Sequence, residues 1–380
     1  MEVVVTGIGL ISALGQSLET SWQHLLAGES GSRWHQPFPE LAPRPLALLR
    51  KTPANLTVLT QQVVAAALQD ARLASPLQEC GIVIGSSRSH QAQWEQLARQ
   101  FYVESAGVDA RNWLQTLPHQ LAIATAHQVG STGPVLAPMA ACATGLWAIA
   151  QGFELIQTEQ CQQVVAGAVE APITPLTLVG FEQMGALART GAYPFDRRRE
   201  GLVLGEGAAV LVLESVESAK ARSAAIYGQI LGFGLTADGY HVSAPAPDRR
   251  GAIAAIKQCL RRSALSAEAI DYIHAHGTAT LLNDRNEAEL IQQLFPADVP
   301  VSSTKGATGH TLGASGALGA AFCLMALKHQ ILPPCVGLLE PEFKLNLVVT
   351  PRASALQHLL CFSFGFGGQN AVMAFKREPF

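Results

Sequence analysis

The chain has 380 residues, 48% of them hydrophobic and 14% charged, enough apolar material for two domains or one double-sized one. A formal net charge of −3 gives no electrostatic basis for binding nucleic acid or an anionic membrane surface. Cys80, Cys142, Cys161, Cys259, Cys323, Cys335 and Cys361 lack paired spacing, so neither a disulfide framework nor a zinc site is expected, which suits a reducing cytosol.

In chain order, Val3 to Gly15 reads as a strand with a Gly-rich exit. It begins too early to leave room for a signal peptide. Gly7-Ile-Gly9 is too partial a match for a dinucleotide fingerprint, because Ser12 occupies the third glycine position. A helix is predicted over Thr60 to Leu73, a buried strand over Cys80 to Gly85, and a helix over Leu121 to Val129. Strands follow at Gln163 to Val169 and at Leu202 to Glu214, the latter interrupted by Gly-Glu-Gly. The same grammar restarts near residue 222, with a strand (Ile226 to Gly232), a helix (Ile253 to Ser263) and a strand (Ile270 to His276). A small-residue turn then enters a buried helix (Gly306 to Leu327), and a last strand covers Ala371 to Phe375. The apolar stretch Leu312 to Leu327 carries three glycines and a serine, so it reads as a core helix rather than a membrane span. Two halves, 1–222 and 223–380, therefore look like a duplicated α/β unit whose sheets are covered on both faces.

Cys142 stands out within Pro138-Met-Ala-Ala-Cys-Ala-Thr-Gly145. Val135, Leu136 and Ala137 read as the end of a buried strand, and Leu146 to Ala150 as a buried helix. A thiol at that turn sits beside the unpaired N–H groups of a helix start, which lower its pKa and can hold an oxyanion. Cys142 is thus the candidate nucleophile. Three further segments carry chemistry: His274-Ala-His276-Gly-Thr278-Ala-Thr280 with Asp284 and Glu287, then Lys305-Gly-Ala-Thr-Gly-His310, then Ser363-Phe-Gly-Phe366-Gly-Gly-Gln-Asn370. A thiol with one histidine would suggest general-base activation. Two histidines add a second role, as neutral imidazoles donating to an oxygen that becomes an enolate. His274 reads as structural, and the glycines around Phe366 suit a mobile flap.

These segments resemble the β-ketoacyl-acyl-carrier-protein synthases of the thiolase superfamily, of the elongating type with a Cys-His-His triad. Pro194-Phe-Asp196 through Gly201, Gly205-Glu-Gly207, and Asp238-Gly-Tyr-His241 through Pro245 match further signatures in the family's order. The resemblance implies a thiolase-like fold, with duplicated α/β halves in an αβαβα arrangement, and decarboxylative condensation of an acyl thioester with malonyl-acyl-carrier protein. It assigns Cys142 as nucleophile, His276 and His310 to the enolate, and Lys305 and Glu287 to a buried ion pair fixing His310 and its surroundings. The N–H groups of Cys142 and Phe366 would form the oxyanion hole, with Phe366 as gate. Thr278 and Thr280 would bind pantetheine, and Asp284 would be structural. Arg88 falls at the acyl pocket, where it would disfavour long saturated chains if it points inward. The resemblance further implies no cofactor beyond the carrier's phosphopantetheine, an acyl-carrier partner, and a cytoplasmic homodimer, with a heterodimer of related subunits as the alternative.

Some positions depart from the family. The chain is shorter than usual, mainly between Glu29 and Thr60 and between Arg189 and Tyr193, near the mouth of the site and the carrier-docking surface. Gln369 stands where threonine is usual. A degradative thiolase would carry a second cysteine in the C-terminal Gly-rich loop, whereas Cys361 precedes it. The coenzyme-A-using initiating synthases pair cysteine with histidine and asparagine. The competing expectations are a non-condensing partner subunit, which would typically lack the cysteine, and a specialised short-chain or polyene ketosynthase.

Overall fold

The computed structural model describes residues 1–103, 111 and 113–378. Eleven of the described strands build its main sheet, ten of them in two sets of five. The N-terminal half supplies β1 (Val3–Ser12), β2 (Gly81–Gly85), β3 (Val135–Leu136), β4 (Gln163–Glu170) and β5 (Gly207–Ser215). The C-terminal half supplies β6 (Gly228–Ala237), β7 (Tyr272–His274), β8 (Pro300–Ser302), β9 (His358–Gly365) and β10 (Gln369–Lys376). The orders are β3-β2-β4-β5-β1 and β8-β7-β9-β10-β6, and Asn346–Leu347 extends the C-terminal edge. Each half repeats one pattern: its first and fifth strands pair antiparallel, as do its fourth and fifth, while the other pairs are parallel. The duplication expected from the restart near residue 222 is therefore topological. The halves meet where β1 pairs with β6 over Val3–Val5.

The helices Thr144–Gln157 and Ser315–His329 occupy corresponding places after the third strand of each half, and they pack on each other. Small residues permit the approach: a Cβ on Gly145 would lie 2.4 Å from the Ala317 amide nitrogen. Ser315–Leu327 is buried throughout, so this apolar stretch is a core helix, as expected. Outer helices such as Leu56–Asp70, on β1 and β5, and Arg250–Arg262, on β6 and β10, cover the other faces.

Several elements differ from expectation. β3 is an edge strand rather than a buried one, with Leu136 37% exposed, because no strand among the described residues lies beyond it. β5 starts only at Gly207, since the preceding segment is drawn aside: the Glu206 carboxylate accepts from the N–H groups of Leu49 and Ala54. β7 ends at His274, two residues early, which frees His276 from the ladder. The expected helix from Gly306 is broken, because Gly309 (φ 67°) ends the turn Lys305–Thr308 and the long helix starts at Ser315. The strand β9 and the helix Leu281–Leu294, capped by the Thr280 hydroxyl on Asn283 N–H, had no counterpart in the sequence reading.

Candidate active site

Cys142 sits between β3 and the helix Thr144–Gln157, after Ala141 with φ 48°. The turn is braced locally. Thr144 Oγ1 accepts from the Ala140 N–H and donates to the Ala141 carbonyl, while Ser363 Oγ donates to the Cys142 carbonyl at 2.8 Å. Burial pushes the Cys142 thiol up to about 11, against the opposing pulls of the Lys305 charge and the Phe366 N–H. The net thiol shift expected from the helix start is thus reversed: the thiol is buried, and desolvation of a thiolate outweighs a partial charge.

His276 follows the early end of β7. Its own N–H and that of Gly277 donate to the two Glu287 carboxylate oxygens at 2.6 and 2.7 Å. Lys305 Nζ lies 3.3 Å from His276 Nδ1 and donates to the His276 carbonyl oxygen. His310 is pinned through its backbone: its N–H donates to the Val203 carbonyl (2.6 Å) and its carbonyl accepts from Gly205 N–H (3.0 Å). The Leu312 N–H donates to His310 Nδ1 at 3.2 Å, and Ser315 Oγ lies 2.9 Å from the same atom. Lys305 and Glu287 hydrogen-bond the His276 segment and not His310, and no direct ion pair joins them among the described residues. Their charges still interact, and the Lys305 charge also reaches His310.

These fixings decide the tautomers. A backbone amide can only donate, so His310 Nδ1 carries no proton and Nε2 does. The Lys305 ammonium imposes the same state on His276. Burial, reinforced by the Lys305 charge, holds both imidazoles well below their usual pKa, so they are neutral donors. Cys142 Sγ and one ring nitrogen of each histidine lie within 4.8 Å of one another. Such a trio has the donor types of a zinc site, but here the Nε2 atoms present N–H groups, which serve an oxygen better than a cation.

Cys142, His276, His310, Thr278, Thr280 and Phe366 line one cavity of about 310 Å³. The hydroxyls of Thr278 and Thr280 lie 2.9 Å apart at its wall. Phe366 stands in the Gly-rich loop, its ring stacked on Phe181 at 5.9 Å between centroids. The loop is tied down, since Gly367 N–H donates to the Val242 carbonyl and Asn370 Nδ2 donates to Asp238 Oδ1. Asp284 stands behind the wall, accepting from the N–H groups of Phe195 (2.8 Å) and Ala279 (3.2 Å). His274 is remote from the cavity, engaged with Thr304 and Cys361.

Arg88 takes the outward of the two orientations that the sequence left open. Its side chain is exposed and does not line the cavity. Its guanidinium carbon lies 5.8 Å from the centre of the Phe181 ring. Phe181 lines the cavity, and the Arg88 N–H donates to the Glu170 carboxylate at 3.0 Å. Phe181, Ser315 and Ser363 were not singled out in the sequence. Each is an ordinary helix or strand residue there, and only its distant partner marks it.

The description "Beta-ketoacyl synthase, N-terminal domain" matches residues 50–219, and "Beta-ketoacyl synthase, C-terminal domain" matches residues 227–339. A 3-oxoacyl-[acyl-carrier-protein] synthase 2 from Synechocystis sp. is 34% identical, covering 99% of this chain and 98% of the relative. Among solved structures, the ishigamide ketosynthase/chain length factor is similar with a TM-score of 0.94 and 27% identity, over 100% of this chain and 99% of that one. The ketosynthase of AntDE:AntF, a type II PKS acyl-carrier protein in complex with its ketosynthase bound to the hexaketide, gives a TM-score of 0.94 at 25% identity, over 99% of both chains. With its thiol and two neutral histidines in one cavity of a thiolase-like fold, the chain belongs to the β-ketoacyl synthase family.

Proposed function

We propose that the protein condenses an acyl thioester with malonyl-acyl-carrier protein, releasing CO₂ and forming a 3-oxoacyl-acyl-carrier protein. One observation carries this reading: a cavity thiol and one ring nitrogen of each of two buried histidines lie within 4.8 Å of one another, while each Nδ1 has its own partner, which leaves Nε2–H to donate to an enolate oxygen. In the first half-reaction Cys142 gives up its proton, its thiolate attacks the acyl carbonyl, and the carrier's pantetheine leaves as a thiolate that takes up a proton in turn. The N–H groups of Cys142 and Phe366 receive the oxyanion. In the second, malonyl C–C cleavage leaves its electron pair as an enolate, whose oxygen accepts from His276 and His310. The enolate carbon attacks the acyl-Cys142 carbonyl, and the Cys142 thiolate departs. Decarboxylation generates the carbanion, so no step calls for a strong base, metal or cofactor beyond phosphopantetheine. Thr278 and Thr280 bind the pantetheine arm in this reading, supported by their position on the cavity wall.

The carrier is the macromolecular partner, and the working unit is a homodimer, supported by the open edge at β3 with Leu136 and Met139 exposed. A heterodimer with a related subunit is the alternative, since one similar solved structure is a ketosynthase/chain length factor. The complete Cys-His-His set speaks against a non-condensing subunit. A specialised chain-length range is favoured by the Phe181–Phe366 stack beside the thiol. Seven buried, free cysteines fit a cytosolic site of action.

The test is intact-protein mass spectrometry with acyl-carrier proteins, together with CO₂ release from malonyl-carrier protein. His276→Ala and His310→Ala are each expected to lose about 100- to 1,000-fold in decarboxylation while Cys142 still acylates. Undiminished CO₂ release by both variants overturns the assignment.

A further inference from the structure

Ser315 opens the helix Ser315–His329, yet its hydroxyl does not cap it; the N-cap is Ala314, with no side-chain hydrogen bond. Its Oγ lies 2.9 Å from His310 Nδ1 and 3.1 Å from Thr311 Oγ1. The Leu312 N–H already donates to that Nδ1, so the nitrogen is bare and Ser315 can only donate to it. Ser315 has one proton to give, so the Thr311 hydroxyl in turn donates to Ser315. Both hydroxyls are buried.

We propose that Ser315 is a positioning residue for decarboxylation: the hydrogen-bond chain Thr311 to Ser315 to His310 holds this imidazole as the neutral Nε2–H donor that receives the enolate oxygen. This rests on the condensing function above. Forming an imidazolium would put a proton on Nδ1 against two donors. The Ser315 hydroxyl can turn away, but the backbone amide cannot. The charged and titratable groups facing the ring are Cys142, His276 and Lys305 from the cavity, with Glu206 behind it through Gly205 and Glu170 beside it through Gly313. Lys305 pushes in the same direction as the chain, disfavouring a second cation.

Decarboxylation of malonyl-carrier protein is measured against pH for the wild type, Ser315→Ala and Ser315→Thr, with Cys142 acylation followed in parallel. Ser315→Ala is expected to move the acid limb up by about half to one pH unit and to slow decarboxylation below it about three- to ten-fold. Acylation of Cys142 is expected to stay unchanged, and Ser315→Thr to restore the wild-type limb. If threonine does not fit, Thr311→Val is the second variant, with a smaller shift in the same direction. An acid limb that coincides with wild type, at whatever rate, overturns the proposal. If the wild type releases no CO₂, the condensing function fails instead. Titration of the His310 ring nitrogens by ¹⁵N NMR then decides the Ser315 role, with an unchanged pKa in Ser315→Ala overturning it.

Discussion

Lys305 Nζ lies 3.3 Å from His276 Nδ1 and also donates to the His276 carbonyl, so one buried amine fixes both the ring and the backbone of a single histidine. Removing it leaves the His276 tautomer unset and takes away a charge that favours the Cys142 thiolate. Lys305→Met is therefore expected to slow decarboxylation by about ten-fold or more and to slow Cys142 alkylation at fixed pH. Unchanged rates for both would show that the amine is only core filling.

Cys142 is the thiol of the seven that lines the cavity; the others are buried elsewhere in the core. Limiting iodoacetamide should label it first. Because burial holds its pKa at about 11, above the ordinary thiol value, the thiolate fraction grows with pH throughout the neutral and mildly alkaline range. The alkylation rate is expected to climb from pH 7 to pH 9.5 without a plateau. Peptide mapping that finds Cys80 or Cys361 labelled first contradicts the placement, and a plateau near neutrality contradicts the electrostatics.

The Phe181 ring, not Arg88, walls the cavity beside the gate. Phe181→Ala should let longer acyl groups onto Cys142, at a stability cost of about 3–5 kcal/mol for an emptied aromatic site. Arg88→Ile should leave the chain-length profile as it is. A profile altered by Arg88→Ile but not by Phe181→Ala would reverse this assignment.

Light scattering should give about twice the 40.2 kDa of one chain. Leu136→Asp, on the exposed edge strand that leads to Cys142, should shift the equilibrium toward monomer and lower activity with it. A stable monomer of the unaltered protein at micromolar concentration would refute the dimer.

The chemistry and its order along the chain are legible in the amino-acid order alone. Cys142 could be picked out because small residues at a strand-to-helix turn are a local pattern, and His276, Lys305, His310 and Phe366 because their neighbours carry Gly and Thr at short spacings. The repeated architecture was legible for the same reason, since apolar periodicity restarts after residue 222. What each group pairs with depends on the folded chain. The Lys305 amine bonds to His276 rather than His310, Glu287 takes two backbone amides, and Arg88 turns outward beside Phe181. The state of the Cys142 thiol also belongs to the folded site, because desolvation depends on every atom packed around it and not on the helix that follows it. Ser315 shows the limit most plainly. Its hydroxyl matters through a nitrogen five residues back, which Gly309 and the broken helix carry into reach. Short-range pattern reports which groups exist, while donor direction, tautomer and burial arise only when distant segments close on one another.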